Sequence, residues 1–223
     1  MIDKTFATAA EALSGVRDGD TVLCGGFGAV GAPHELLEAL IDQGSRELTV
    51  VSNNAGDGPG GLSALIAAGR VRRIICSYPR SADPRAFEEA YRAGSLELVL
   101  VPQGTLSERM RAAAAGLGGY FSRVSANTEL GRGKETREID GQVYVFEPPL
   151  PGDVALIRAH HADRWGNLLF RKSARNFNPV MAMAARLTIA QVTDIVPLGS
   201  LDPDQVHTPG IFVDRILRTP DPC

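Results

Sequence analysis

The sequence is poor in cysteine. Cys24, Cys76 and Cys223 are scattered through 223 residues. They cannot close a disulfide framework and show no metal-ligand spacing, which excludes a disulfide-built scaffold or a zinc module and points to a reducing compartment. Long apolar runs are also missing, and none approaches the roughly 20 residues a spanning helix needs. The first residues, MIDKTFATAAEALSGVRDGD, carry acidic groups early and have no continuous apolar core, unlike a secretory signal. Nor is there a basic excess. Lys and Arg number 23 against 26 Asp and Glu, a formal charge of −3 with no basic block. That argues against nucleic acid or an anionic membrane as partner. The expectation is a soluble, cytoplasmic protein.

What is present is ordinary in amount. Hydrophobic residues make up 44% and charged residues 22%, near the globular average. The length fits a single domain, 1–223, with a substantial core.

In the first half, short apolar runs alternate with helical patterns. Phe6, Ala9, Leu13 and Val16 recur at helical spacing, and Asp18-Gly19-Asp20 turns into a strand at 21–24. Pro33 starts a helix with Leu36, Leu37, Leu40 and Ile41 on its buried face. Further strands are expected at 48–52, 71–77 and 96–101, with 54–61 as loop and a short helix at 62–68. Asp83-Pro84 reads as cap and first residue of a helix. After the turn Pro102-Gln103-Gly104, Thr105 with Glu108 reads as a capping box. Apolar strands separated by helices predict an open, mainly parallel α/β sheet with helices on both faces. The second half predicts a hairpin about Asp140-Gly141, strands at 154–159, 168–170 and 187–193, and a short helix opened by Asn178-Pro179. It extends the sheet and adds antiparallel strands. No flexible linker divides the chain.

The most informative stretch runs from Leu23 to Pro33, a strand, a glycine-rich loop and a helix start. Glycines permit positive φ and close backbone approach. An anionic group at a helix N-terminus gains about 0.3–1 kcal/mol. Gly26, Gly28 and Gly31 also satisfy G-x-G-x-x-G, the dinucleotide fingerprint. That reading needs an acidic residue about 20 positions on, at the end of the second strand. The strand ends instead in Ser52-Asn53-Asn54, and Glu47 lies at its beginning. A tight turn with no ligand accounts for the same spacing.

The run DGDTVLCGGFGAVGAP at 18–33 resembles the first signature of family I coenzyme A transferases. SNNAG at 52–56, VPQGTLSERMRAAAAGLGGYFS at 101–122, GKETREIDGQVYVFE at 133–147, ADRWGNLLFRKSARNFNP at 162–179 and GIFVDRI at 210–216 are similar to further segments of that family, in order. The details are most similar to A subunits of the 3-oxoadipate type, and slightly less to the acetoacetate type. The resemblance implies the CoA-transferase superfold and an obligate B subunit, as a heterodimer or A2B2.

The family moves CoA between carboxylic acids by ping-pong chemistry through a glutamyl–CoA thioester, a case of covalent catalysis by a carboxylate. Its nucleophile lies in a Ser-Glu-Asn-Gly segment of the B half. No such segment occurs here, so this chain alone is expected to be inactive. Glu108 reads as a cap partner and Glu129 as a loop residue. The resemblance makes Gln103 an oxyanion donor, a role whose loss typically costs about 2.7–4 kcal/mol. It makes Cys24, Gly25, Gly26, Phe27, Gly28, Ala29, Val30 and Gly31 the loop facing the CoA thioester. CoA is then a substrate; no permanent cofactor and no metal are implied. Phe27 either packs on the pantetheine arm or plugs the core. Asn53 and Asn54 either bond substrate or form the turn.

Other residues are not promoted. His160 and His161 in a strand would face opposite ways. His34 and His207 read as surface or core. Arg171, Lys172 and Arg175 form a basic cluster that suits a carboxylate, a CoA phosphate, the partner subunit or plain solvent. Cys24 reads as a buried small hydrophobe. The rivals to CoA transfer are a nicotinamide-dependent oxidoreductase and a non-catalytic metabolite sensor of the same superfold.

Overall fold

The structure, a computed structural model, describes residues 2–219; Cys223 lies outside them. The chain runs β1 (Thr5–Phe6), α1 (Ala9–Ala12), β2 (Thr21–Cys24), α2 (His34–Gln43), β3 (Leu48–Val51), α3 (Gly61–Ala67), β4 (Val71–Cys76), α4 (Arg85–Arg92), β5 (Glu97–Leu100) and α5 (Gln103–Ala114). Then follow β6 (Tyr120–Ser122), β7 (Thr136–Ile139), β8 (Gln142–Glu147), β9 (Gly152–Asp163), β10 (Leu168–Leu169), α6 (Asn178–Ala184), β11 (Ala185–Val196) and β12 (Arg215–Arg218).

Eight strands form one parallel path in the order β1-β12-β11-β9-β2-β3-β4-β5, with β10 paired antiparallel to β9. The path grows in opposite directions from its centre. From β2 it proceeds through β3 and β4 to β5, and from β9 it proceeds through β11 to β12. The order therefore reverses between β2 and β9. Outside the C-terminal ends of the strands, such a reversal leaves a crevice where ligands meet open α/β sheets. β2 pairs only with Val154–Leu156 of β9, which continues to Asp163 beside β11. The end of β9 thus stands beyond the sheet centre, next to whatever follows β2.

Helices cover both faces. Leu36, Leu37 and Leu40 of α2 and Leu65 and Ile66 of α3 pack with Val22, Val50, Ile74 and Leu156 on one face. Leu106 and Met110 of α5 and Met181 of α6 pack with Leu23, Val51, Ala155 and Ile157 on the other. Adjacent strand residues alternate between the two cores, as the two-residue period of a strand requires. The second half extends the sheet with parallel strands, and most of its antiparallel pairing makes a separate sheet in the order β6-β8-β7.

Four local expectations are corrected. The helical spacing of the first segment yields only β1 and one turn of helix, capped by Thr8. Pro84 rather than Asp83 caps α4, because the Asp83 carboxylate binds the Arg85 guanidinium at 2.6 and 2.7 Å. Thr105 caps nothing. The Pro102 carbonyl already accepts from the Leu106 N–H at 2.8 Å, so α5 begins at Gln103 and Thr105 lies buried within it. Glu108 instead pairs with Arg111 on the helix surface. Finally, β9 departs from alternation near its end, where Ala159 and Ala162 enter the same core. That brings the His160 and His161 rings together, 3.9 Å between centroids.

Candidate active site

β2 ends at Cys24, and Gly25 begins a glycine-rich loop. The Gly25 N–H is tied to the Leu156 carbonyl at 2.9 Å. Phe27 and Val30 then exchange backbone hydrogen bonds of 3.0 and 3.3 Å across a tight turn through Gly28 and Ala29. Gly28 holds φ +62° in that turn, which a residue with a Cβ adopts only at a cost. The turn carries its apolar side chains outward: Phe27 is 53% and Val30 49% exposed. Phe27 therefore does not plug the core. Among the described residues the N–H groups of Gly28, Ala29 and Gly31 meet no hydrogen-bond acceptor, so the loop presents backbone donors just ahead of α2.

What fixes this loop comes from the far half of the chain. Asn176 accepts from the Gly26 N–H at 3.2 Å and donates to the Val30 carbonyl at 3.0 Å. Asn178 donates to the Gly31 carbonyl at 3.1 Å and accepts from the Arg158 N–H at 3.0 Å. Asn178 is fully buried. Its amide fills the space a Cβ on Gly25 would need, and a Cβ on Gly31 would run into the Ala174 carbonyl and the Asn176 amide. So the glycines at 25 and 31 are there for close approach to this asparagine pair. Sequence reasoning gave Asn178 only a helix-opening role and passed over Asn176. The signal available was the pairing of a crowded glycine loop with a late Asn-Phe-Asn.

The other flank is built from side chains. Asn53 follows β3 and is buried; its Oδ1 accepts from Ser77 Oγ at 2.9 Å and from Gln103 Nε2 at 2.7 Å. Its backbone carbonyl takes the Ser77 and Tyr78 N–H groups. Asn53 is thus locked, and Gln103, exposed at the first position of α5, leans back onto it. A primary amide has two N–H groups. One from Gln103 is used on Asn53, and the second is available to an acceptor at the C-terminal edge of the sheet. Asn54 Oδ1 accepts from the Gly56 N–H at 3.0 Å, closing its own turn. Asn54, Gly25, Gly28 and Ala29 line a shared cleft between the two loops.

Cys24 and Cys76 are buried free thiols, each pushed up to about 12 by desolvation, so neither supplies a thiolate. Glu129 pairs with Arg132 on the surface. Glu47 lies at the start of β3, paired with Arg72 at 3.6 Å, and no carboxylate stands at the end of β3 where a dinucleotide ribose would need one. Arg171 and Lys172 lie beside the glycine loop, together with Arg158 and His160. Arg175 lies near His207, whose Nδ1 accepts from the Phe170 N–H at 3.0 Å. Among the described residues no His, Cys, Asp and Glu group is arranged to hold a metal, the adjacent His160 and His161 included. Among the described residues no helix is long and apolar enough to cross a membrane.

The pattern of the Coenzyme A transferase family matches residues 6–219. The chain belongs to that family. The A subunit of a 3-oxoadipate CoA-transferase from Pseudomonas putida is 56% identical over 217 residues, 97% of this chain and 94% of that protein. The A subunit of a succinyl-CoA:3-ketoacid coenzyme A transferase from Xanthomonas campestris is 51% identical over 220 residues, 98% of this chain and 90% of that protein. Among solved structures, an acyl-CoA transferase of E. coli, in a thioester complex with CoA, superimposes with a TM-score of 0.85 at 23% identity. It covers 100% of this chain, which spans only 48% of that longer protein, and at this identity the likeness speaks for the fold. Family membership replaces the nicotinamide reading of the three glycines. Their spacing serves the turn at Gly28 and the asparagine contacts at Gly26 and Gly31.

Proposed function

We propose that this chain is the A subunit of a 3-oxoacid CoA-transferase that moves CoA from succinyl-CoA to 3-oxoadipate, with the nucleophilic glutamate supplied by a B subunit. The observation that carries the reading is the arrangement at the C-terminal edge of the sheet. The glycine loop and Asn54 line one cleft, the Gln103–Asn53 amide pair adjoins it through the Asn53–Asn54 turn, and no glutamate of this chain lines it. The relatives support the substrate class, with the 3-oxoadipate enzyme's A subunit at 56% identity and the succinyl-CoA:3-ketoacid enzyme's A subunit at 51%.

In this reading the CoA thioester is the substrate, and the partner's carboxylate attacks its carbonyl carbon. The carbon–oxygen double bond opens into an oxyanion, which then collapses and expels the CoA thiolate to leave an acyl–glutamyl anhydride. The thiolate attacks the glutamyl carbonyl of that anhydride, releasing succinate and leaving a glutamyl–CoA thioester. The acceptor acid repeats the steps in reverse. This chain's contribution is to meet the developing oxyanion with the second N–H of Gln103, which the locked Asn53 holds in place before reaction. Cys24 through Gly31 form the loop toward the thioester, and Phe27 offers an exposed ring to the pantetheine arm. Asn53 serves the substrate through Gln103, and Asn54 by shaping the adjoining turn. Phe27, Val30 and the 62%-exposed Tyr78 are apolar surface near the same edge, consistent with a covering partner.

The deciding experiment is CoA transfer from succinyl-CoA, with 3-oxoadipate and acetoacetate compared as acceptors. It is run with the chain alone and co-expressed with its B subunit. Transfer only by the pair, faster to 3-oxoadipate, is the expected outcome. Transfer by the chain alone would refute the split nucleophile. A pair that binds CoA without transferring it would return the reading to a metabolite sensor.

A further inference from the structure

A cavity of about 280 Å³ opens beside the glycine loop, where the sheet order reverses between β2 and β9. That is near the lower end of small-molecule sites, roughly 300–1,000 Å³. Its walls include Gly31 of the loop, Arg158 and His160 of β9, Thr193 of β11, and Arg171 and Lys172 of the segment after β10. No aspartate or glutamate lines it. Arg171 and Lys172 are exposed, and neither forms an ion pair with a described residue. Lys172 is held at φ +50°, a left-handed backbone that side-chain-bearing residues seldom adopt. Like charges gathered in one concave wall repel each other, and an anion in the cavity relieves that repulsion.

We infer that this cavity is a subsite for the distal carboxylate of a dicarboxylic acyl group, the carboxylate that is not joined to CoA. The inference rests on the CoA-transfer reading above and adds a basis for its choice of acid. Succinyl and 3-oxoadipyl groups both carry a second carboxylate a few carbons from the thioester, whereas acetoacetyl ends in a methyl group. The cavity shares Gly31 with the loop assigned to the thioester, so it lies within the reach of an acyl chain. The CoA phosphates sit at the far end of the pantetheine arm. A guanidinium and an ammonium side by side suit a carboxylate, through charge-assisted hydrogen bonds.

The test uses the co-expressed pair carrying Arg171→Gln or Lys172→Gln. In a ping-pong reaction kcat/KM for each substrate reports only its own half-reaction. It is measured for succinyl-CoA and acetoacetyl-CoA as donors and for 3-oxoadipate and acetoacetate as acceptors. The expected result is a loss of about tenfold to a hundredfold for succinyl-CoA and 3-oxoadipate, with acetoacetyl-CoA and acetoacetate changed by less than about twofold. Loss for both CoA donors with both free acids spared would assign the cations to a CoA phosphate and overturn the subsite. Equal loss for all four, or no loss for any, would overturn it too. If the wild-type pair transfers no CoA, the earlier reading fails. Calorimetric titration of the same pair with succinate and with butyrate then decides. Succinate binding that Arg171→Gln removes supports the subsite, and equal binding of both acids, or of neither, overturns it.

Discussion

The two flanks of the site are built on opposite plans. The glycine flank presents backbone, and its shape is imposed by Asn176 and Asn178, whose partners Gly26 and Gly31 lie 150 and 147 positions away. The amide flank presents side chains, and its parts come from neighbouring strand ends, Asn53, Ser77 and Gln103. Backbone donors cannot be repositioned by a rotamer change, so they need a rigid frame, and here the frame is a buried asparagine filling the space beside a glycine. A side-chain donor needs only a neighbour to lean on. Damage on the glycine flank should therefore spread through the fold, and damage on the amide flank should stay with the chemistry.

The sharpest way to break that contrast is Gly25→Ala. The new methyl occupies the place of the Asn178 amide. Overpacking of this kind costs about 1–3 kcal/mol of stability, and a displaced loop should lower transfer by the pair at least about 100-fold. The denaturant midpoint and kcat should fall together. Adding Asn178→Ala makes room for the methyl and should recover part of the stability, a non-additivity expected of residues in contact. A Gly25→Ala chain that folds and works normally would show that Asn178 does not confine the loop.

Gln103→Ala probes the other flank. Loss of one oxyanion donor predicts a fall in kcat of about 100- to 1,000-fold. Because Gln103 is exposed and Asn53 keeps its bond from Ser77, the melting temperature should stay within about 1–2 °C of wild type, since exposed substitutions change stability by about 0.5 kcal/mol or less. A large loss of stability with little loss of kcat would reverse the roles of the two flanks.

The same contrast explains what could be read from sequence. The strand, loop and helix from Thr21 to Gln43 were legible because glycine and proline punctuate them and Leu36, Leu37 and Leu40 keep helical spacing. The parallel sheet followed from apolar runs separated by helices. The asparagine clamp was not legible, because it exists only once β9 lies beside β2, and no local pattern states that neighbour relation. The capping box at Thr105 failed for a related reason. A Thr followed three residues later by Glu also occurs inside helices, and Pro102 had already supplied the start. Gln103 is proposed as a donor by resemblance alone; its hydrogen bond to Asn53 is a tertiary fact that no local pattern states.

The smallest expected effect concerns the base of the clamp. His207 Nδ1 accepts from the Phe170 N–H, just ahead of the segment that carries Asn176. The bond requires an unprotonated Nδ1. Desolvation first, and then the nearby Arg175 charge, hold the His207 pKa below its ordinary 6.5. The unfolded chain therefore binds this proton more readily than the folded one. The contribution to stability is complete above the unfolded value of 6.5 and is lost as pH falls through the lower folded value. A pH series of melting temperatures should show wild type losing stability as pH falls below 6.5 towards the lower folded value, and His207→Gln losing less of it. If the loop depends on this anchor, the acid loss should be accompanied by a fall in transfer that Gln103→Ala leaves unchanged in its midpoint. Parallel melting curves for wild type and His207→Gln through that window would remove His207 from the frame and leave the clamp to Asn176 and Asn178 alone.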